Sequence, residues 1–117
     1  MQEVSLLETM DSGDAIIANV MHDKLFEETL VDNIANQLYR LIDQNSGARL
    51  VLDLSNVVMV CSSMLGKLIT VNKKVNATGG SLCLCGVTPH VYEILAATKL
   101  NSLLSIYDSW QQAVESI

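Results

Sequence analysis

Hydrophobic and polar positions along the chain change period several times, and each change marks a new element. Val4 to Thr9 and Ala15 to Val20 read as two short strands. Asp11-Ser-Gly-Asp14 joins them with turn-forming residues, which predicts a β-hairpin. From Glu28 to Gln44 the period becomes helical: Leu30, Val31, Ile34, Ala35, Leu38, Leu41 and Ile42 recur three and four residues apart. Asn45-Ser-Gly-Ala48 ends this amphipathic helix, with Gly47 placed for the reversal that follows. Residues 48 to 54, Ala-Arg-Leu-Val-Leu-Asp-Leu, form an almost continuous apolar run, as a strand covered on both faces requires.

A second helix is predicted from Ser62 to Ala77, with Leu65, Leu68, Ile69 and Val75 inward and Lys67, Lys73, Lys74 and Asn76 largely outward. Those lysines form a solvated face rather than a phosphate site, and Thr78-Gly-Gly80 stops the helix. A strand at Ser81 to Cys85, a helix from Thr88 or Pro89 to Thr98, a strand at Leu103 to Tyr107 and a terminal helix from Ser109 complete the chain. Thr88 before Pro89 is an N-cap followed by proline at the first helical position, where its missing N–H costs nothing. Asp108 or Ser109 caps the last helix in the same way. The order ββαβαβαβα, with right-handed crossovers, predicts an α/β fold on a mixed, mostly parallel sheet. Leu50, Leu52, Leu82 and Leu84 are its expected core.

Composition narrows the functions open to such a fold. A chain of 117 residues, half of them apolar and 17% charged, is expected to be one globular domain over residues 1–117. A net charge of −6 argues against nucleic acid, whose phosphates need a basic surface, and disfavours acidic small molecules. No stretch has the length of a bilayer span, and the N-terminus lacks the basic start and apolar core of a signal peptide. Cys83 and Cys85 fall on one face of a strand with Cα atoms about 6.6 to 6.8 Å apart, at the limit of disulfide reach. They read as small hydrophobes in a reducing cytoplasm.

Candidate chemistry concentrates at one place, where the run Val58-Met-Val-Cys61 gives way to Ser62, Ser63 and the second helix. A serine at a helix start caps free amides, worth about 0.5 to 2 kcal/mol over alanine. One serine suffices for that. The same position tolerates a phosphate, since free amides and the positive end of the helix dipole favour negative charge. Placed in an apolar docking surface, a phosphoserine would instead block association. A catalytic reading needs a base for Cys61, Ser62 or Ser63, and only His22 and His90 are available, the latter at the start of a later helix. There is no Gly-x-Ser-x-Gly elbow, no phosphate-binding glycine loop and no metal-ligand spacing. A receiver-type fold would need an acidic pair early in the chain, where Ile16 to Asp23 offers Asp23 alone.

The run Leu50-Val-Leu-Asp-Leu-Ser-Asn-Val-Val-Met-Val-Cys-Ser-Ser-Met-Leu-Gly-Lys-Leu-Ile69 resembles the core of STAS domains, the sulfate transporter and anti-sigma factor antagonist family. Asp53, Leu54 and Ser55 match that family's Asp-Leu-Ser; Ser62, Ser63, Leu65 and Gly66 match its Asp-Ser-Ser/Thr-x-Leu-Gly. The element order agrees over essentially the whole chain. Met21-His-Asp-Lys-Leu25 is similar to the family's Leu-Asp segment, which puts Asp23 at the same end of the fold. The resemblance implies a regulator without catalysis or cofactor, acting by partner switching. Such a domain binds an anti-sigma factor that is often a serine kinase, is phosphorylated on a serine here carried to Ser62, and is restored by a phosphatase. It implies partner contacts at Asp23, Cys61, Ser62, Ser63, Met64 and Gly66, and a monomer or weak dimer. Cys61 departs from the pattern, because phosphorylated members usually carry Asp before the acceptor serine. That departure favours the alternative of a STAS docking or scaffold module that is never phosphorylated.

Overall fold

The structure, a computed structural model, describes residues 5–116. Seven strands run β1 (Leu7–Ser12), β2 (Ala15–Val20), β3 (Lys24–Leu25), β4 (Arg49–Asp53), β5 (Met59–Val60), β6 (Ser81–Cys85) and β7 (Ser105–Tyr107). Four helices lie between and after them: α1 (Glu28–Gln44), α2 (Ser62–Ala77), α3 (Pro89–Ala97) and α4 (Trp110–Glu115). The main sheet has the order β1-β2-β4-β6-β7, antiparallel only between β1 and β2. This is the predicted mixed, mostly parallel α/β architecture.

Strand pairing in register sorts the side chains into two faces. Ile16, Ala18 and Val20 of β2 share one face with Leu50 and Leu52 of β4 and Leu82 and Leu84 of β6. On that face Ile34 and Leu38 of α1, Leu68 and Val71 of α2 and Leu95 of α3 complete one core cluster. The opposite face carries Ile17, Val51 and Cys85, covered by Ala113 of α4. A strand buried on both faces cannot alternate apolar with polar residues, which is why β4 reads as a run.

Three boundaries depart from the sequence reading, and each has a local cause. The first strand lies at Leu7–Ser12, shifted toward the C-terminus from the expected Val4 to Thr9, and Val4 itself is outside the described residues. A two-residue turn at Gly13 and Asp14 pairs Ser12 directly with Ala15. Gly13 has φ +62°, the positive value that a type II′ hairpin puts at its first central residue. As an edge strand, β1 exposes Glu8 to Asp11, so its sequence lacks an apolar period. The last strand is shorter than expected because Leu100–Ser102 forms a 3-10 turn and leaves Leu103 53% exposed. β3 and β5 were not expected at all, since two residues carry no periodic signal.

Helix starts also differ in detail. Ser109 caps α4 through an Oγ that accepts from the Gln112 amide at 3.3 Å, while the Asp108 amide donates to Gln112 Oε1 at 3.2 Å. Thr88 occupies the N-cap of α3 ahead of Pro89, yet its hydroxyl donates instead to the Val57 carbonyl at 2.7 Å. Leu52 and Leu84 are both fully buried. Truncating either to alanine is expected to cost about 2 to 5 kcal/mol through lost burial and the cavity left behind. Denaturant unfolding checks this, and a loss below ~1 kcal/mol would show that the two leucines are not core residues.

Candidate functional site

The short β3–β5 ladder builds the candidate site. Lys24 pairs with Met59 and Leu25 with Val60 in a parallel register. The Asp23 carbonyl accepts from the amides of Val58 and Met59 at 2.7 and 3.3 Å, and the Leu25 carbonyl accepts from the Cys61 amide at 2.9 Å. Leu25, Leu54 and Val57 are fully buried and pin this layer to the core. Segment 54–61 is held from two further directions. Asn56 Nδ2 donates to Asn19 Oδ1 at 2.9 Å, and the Thr88 hydroxyl holds the Val57 carbonyl.

At its base, Asp53 Oδ1 accepts from the Ser55 amide at 2.9 Å, closing a tight turn at the end of β4. Gly86 is packed against this turn with φ +62°, and a Cβ there would lie 2.9 Å from Asp53 Oδ1 and 3.0 Å from Ser55 Cβ. Both space and backbone therefore require glycine at position 86.

The fixed loop delivers the chain into α2. Cys61, extended at φ −104° and ψ 170°, is the N-cap, and its side chain makes no cap bond. Its carbonyl accepts from the Met64 and Leu65 amides. Ser62 and Ser63 are the first two helical residues and both are exposed, so the expectation that a serine caps this helix is corrected. The chain turns into the helix one residue early, because the Leu25 carbonyl holds Cys61 in ladder geometry. No acidic residue stands in the first turn of α2.

The other expected contact residues divide by burial. Asp23, Cys61, Ser62, Ser63 and Gly66 come together around the β3–β5 ladder and the start of α2, with Asp23 and Gly66 exposed and Cys61 half-buried. Met64 does not join them at the surface; it is 1% exposed and belongs to the core cluster. Helical spacing turns Met64 inward with Leu65 and Leu68, which places its side chain under the site as support.

Four residues that pattern reading passed over complete the surface. Met21, Phe26, Val58 and Met59 are 49%, 53%, 44% and 41% exposed, large apolar side chains on the two segments that the β3–β5 pairing holds side by side. Their signal in the sequence was an apolar content with no period to direct it inward. The α2 lysines are surface groups as expected: Lys67 pairs with Asp32 of α1 at 3.2 Å, and Lys74 lies 5.0 Å from the Tyr39 ring centre. Among the described residues no hydrogen bond joins His22 or His90 to Ser62 or Ser63, and no group of three metal-ligating side chains assembles. No described helix is long and apolar enough to cross a membrane.

Comparison with known proteins follows the same outline. The profile of the STAS domain family matches residues 26–113. The anti-sigma F factor antagonist of Paenibacillus polymyxa is 29% identical over 86 residues, which span 74% of this chain and 74% of that protein. A solved anti-sigma-factor antagonist (STAS) domain protein from Planctomyces limnophilus superposes with a TM-score of 0.80 at 21% identity, covering 92% of each chain. The Bacillus cell fate determinant SpoIIAA in its phosphorylated form gives a TM-score of 0.70 at 14% identity, over 93% of this chain and 96% of that one.

On the far side of β6 the cysteines are chemically quiet. Burial pushes the Cys85 thiol up to about 12, with the Asp53 carboxylate and then Cys83 adding to it. Burial also raises Cys83, against a smaller lowering by Arg49. In the unfolded chain Cys85 ionises near its ordinary value of 9.0, so unfolding becomes easier as the pH rises above that value. The contribution of the protonated thiol is complete below about pH 9 and is lost by about pH 12. The stability advantage of the wild type over Cys85→Ala is therefore expected to shrink across that window, measured by urea unfolding at a series of pH values. An advantage that grows with pH would contradict the burial of a neutral thiol.

Proposed function

Because this chain belongs to the STAS domain family, we propose that it acts as a partner-switching regulator whose docking surface is the β3–β5 ladder with the first turn of α2. It is an anti-sigma factor antagonist-like STAS protein, and the partner proposed for it is an anti-sigma factor of the serine-kinase type. One observation carries the reading: two exposed hydroxyls at the start of α2 border four exposed apolar side chains on a backbone fixed by its own hydrogen bonds. Such a patch favours a protein over a small molecule, because apolar area with a polar rim is the ordinary composition of an interface core.

Ser62 is the proposed phosphate acceptor. The free amides and positive dipole end of α2, with no acidic residue in its first turn, accommodate a phosphate within the domain. The same charge set among Met21, Phe26, Val58 and Met59 would have to be desolvated when a partner docks, and so would oppose docking. A phosphatase then resets the switch. The whole of residues 1–117 is proposed to act as one such domain in the cytoplasm, without catalysis of its own, as a monomer or weak dimer.

Cys61 favours a second reading, a docking module that is never phosphorylated, because family members with a phosphoserine usually carry Asp at that position. A titration of the purified kinase-type partner, run beside a phosphorylation assay with ATP, separates the two. Ser62→Ala is expected to retain binding and lose phosphorylation, and Ser62→Glu to weaken binding about tenfold or more. Cys61→Asp is expected to raise phosphorylation of Ser62. If Ser62→Glu binds like the wild type and no phosphate appears at position 62, the unphosphorylated docking module is the correct account.

Gly66 offers a sharper test of the surface. It is exposed in mid-helix, and a Cβ added there meets nothing within 4 Å, so packing does not require glycine. Gly66→Ala is expected to stabilise the folded chain by about 0.5 to 1 kcal/mol while weakening partner binding, since the bare backbone is proposed to admit close approach. Thermal unfolding and the same titration read the two effects. A variant both more stable and equally tight in binding would remove Gly66 from the interface.

A further inference from the structure

The sheet face opposite α1 and α2 is only partly covered. α4 packs over Ile17, Val51 and Cys85 and leaves a cavity of about 180 Å³ beside it, whose walls include Glu8, Met10, Ile17, Asn19, Asp53 and Trp110. Glu8 pairs with Asn19 and Asn19 with Asp53, so these three stand in one row across β1, β2 and β4. Asp53 is 9% exposed. Its Oδ1 accepts from the Ser55 amide, and among the described residues no donor reaches its Oδ2. Neither Asp53 nor Glu8 pairs with a described cation. Among the described residues the fully buried polar side-chain atoms without a partner do not include Asp53 Oδ2, so this oxygen keeps solvent contact. A carboxylate that lines a cavity with one oxygen unpaired by the protein is open to an incoming donor.

We propose that this cavity binds a guanidinium group. The cavity supplies what that group needs and what the rest of the protein lacks there. Asp53 Oδ2 and the Glu8 carboxylate provide negative charge at either end of the row, and guanidinium carries five donors in a planar fork suited to carboxylates. Trp110 provides an aromatic wall on which a planar cation stacks, and Met10 and Ile17 provide an apolar bed for a methylene stem. A metal ion is served poorly, since no third acidic, histidine or cysteine ligand joins the pair. An ammonium ion is more strongly hydrated and makes less use of the ring. The site is separate from the proposed docking surface in its ligand chemistry, though Asp53 also anchors the turn that leads to segment 54–61.

Trp110 is the only tryptophan in the chain, so its fluorescence reads the cavity directly. The full chain is titrated at low salt with N-acetyl-argininamide, which represents an arginine side chain on a peptide, and with agmatine, which represents a free guanidino compound. N-acetyl-citrullinamide, neutral and of nearly the same shape, is the control. A saturable change is expected with a guanidinium probe and not with the citrulline analogue, weakened about tenfold or more in Asp53→Asn. Tighter binding of the argininamide assigns the ligand to a peptide, and tighter binding of agmatine assigns it to a free small molecule. Glu8→Gln, on the exposed edge strand, is expected to weaken binding several-fold and carries the test if Asp53→Asn does not fold. No saturable response, a response shared by the citrulline analogue, or one unchanged in the Glu8 and Asp53 variants overturns the proposal.

Discussion

The candidate site depends on a parallel ladder only two residues long. Each of its backbone hydrogen bonds contributes about 0.5 to 1.5 kcal/mol net, too little for so short a ladder to stand alone. It persists because Leu25, Leu54 and Val57 are buried beneath it, so the ladder inherits the rigidity of the main core. The Asp23 and Leu25 carbonyls then determine where the chain enters α2. Without them the helix could begin one residue later, with Ser62 at the N-cap. With them the two serines become the first helical residues, presented outward.

The first turns of α2 show how one helix divides between stability and recognition. Met64, Leu65 and Leu68 lie on the buried side and join the helix to the sheet. Ser62, Ser63 and Gly66 lie on the exposed side, where none improves packing. A glycine within a helix with open space around it lowers helix stability, and the exposed side chains of Met21, Phe26, Val58 and Met59 gain nothing from water. Local choices that conflict with folding fit the docking role proposed for this surface.

Much of this was legible in the sequence because it rests on period. The α1 pattern from Leu30 to Ile42, the apolar run of β4 and the proline-marked start of α3 each reported their own burial. The Asp-Leu-Ser and Ser-Ser-x-Leu-Gly segments marked the end of the fold where the docking surface is proposed. What escaped notice has no period to read. β3 and β5 are too short to alternate, and β1 is an edge strand whose exposed face hides its apolar residues. The exposure of Phe26 and Met59 and the burial of Met64 follow from a tertiary ladder, not from neighbours in sequence. The cavity at Asp53 was invisible for the same reason, since Glu8, Asn19 and Trp110 meet it only across the folded sheet.

The central claim is that one rigid surface, made by β3, β5 and the first turn of α2, is where the partner docks. Hydrogen–deuterium exchange of the full chain, with and without the anti-sigma factor proposed as its partner, tests it most directly. The account predicts that added protection on binding is confined to Met21 through Phe26 and Val58 through Gly66. Protection that appears instead on β7 or α4, with those two segments unchanged, would contradict it.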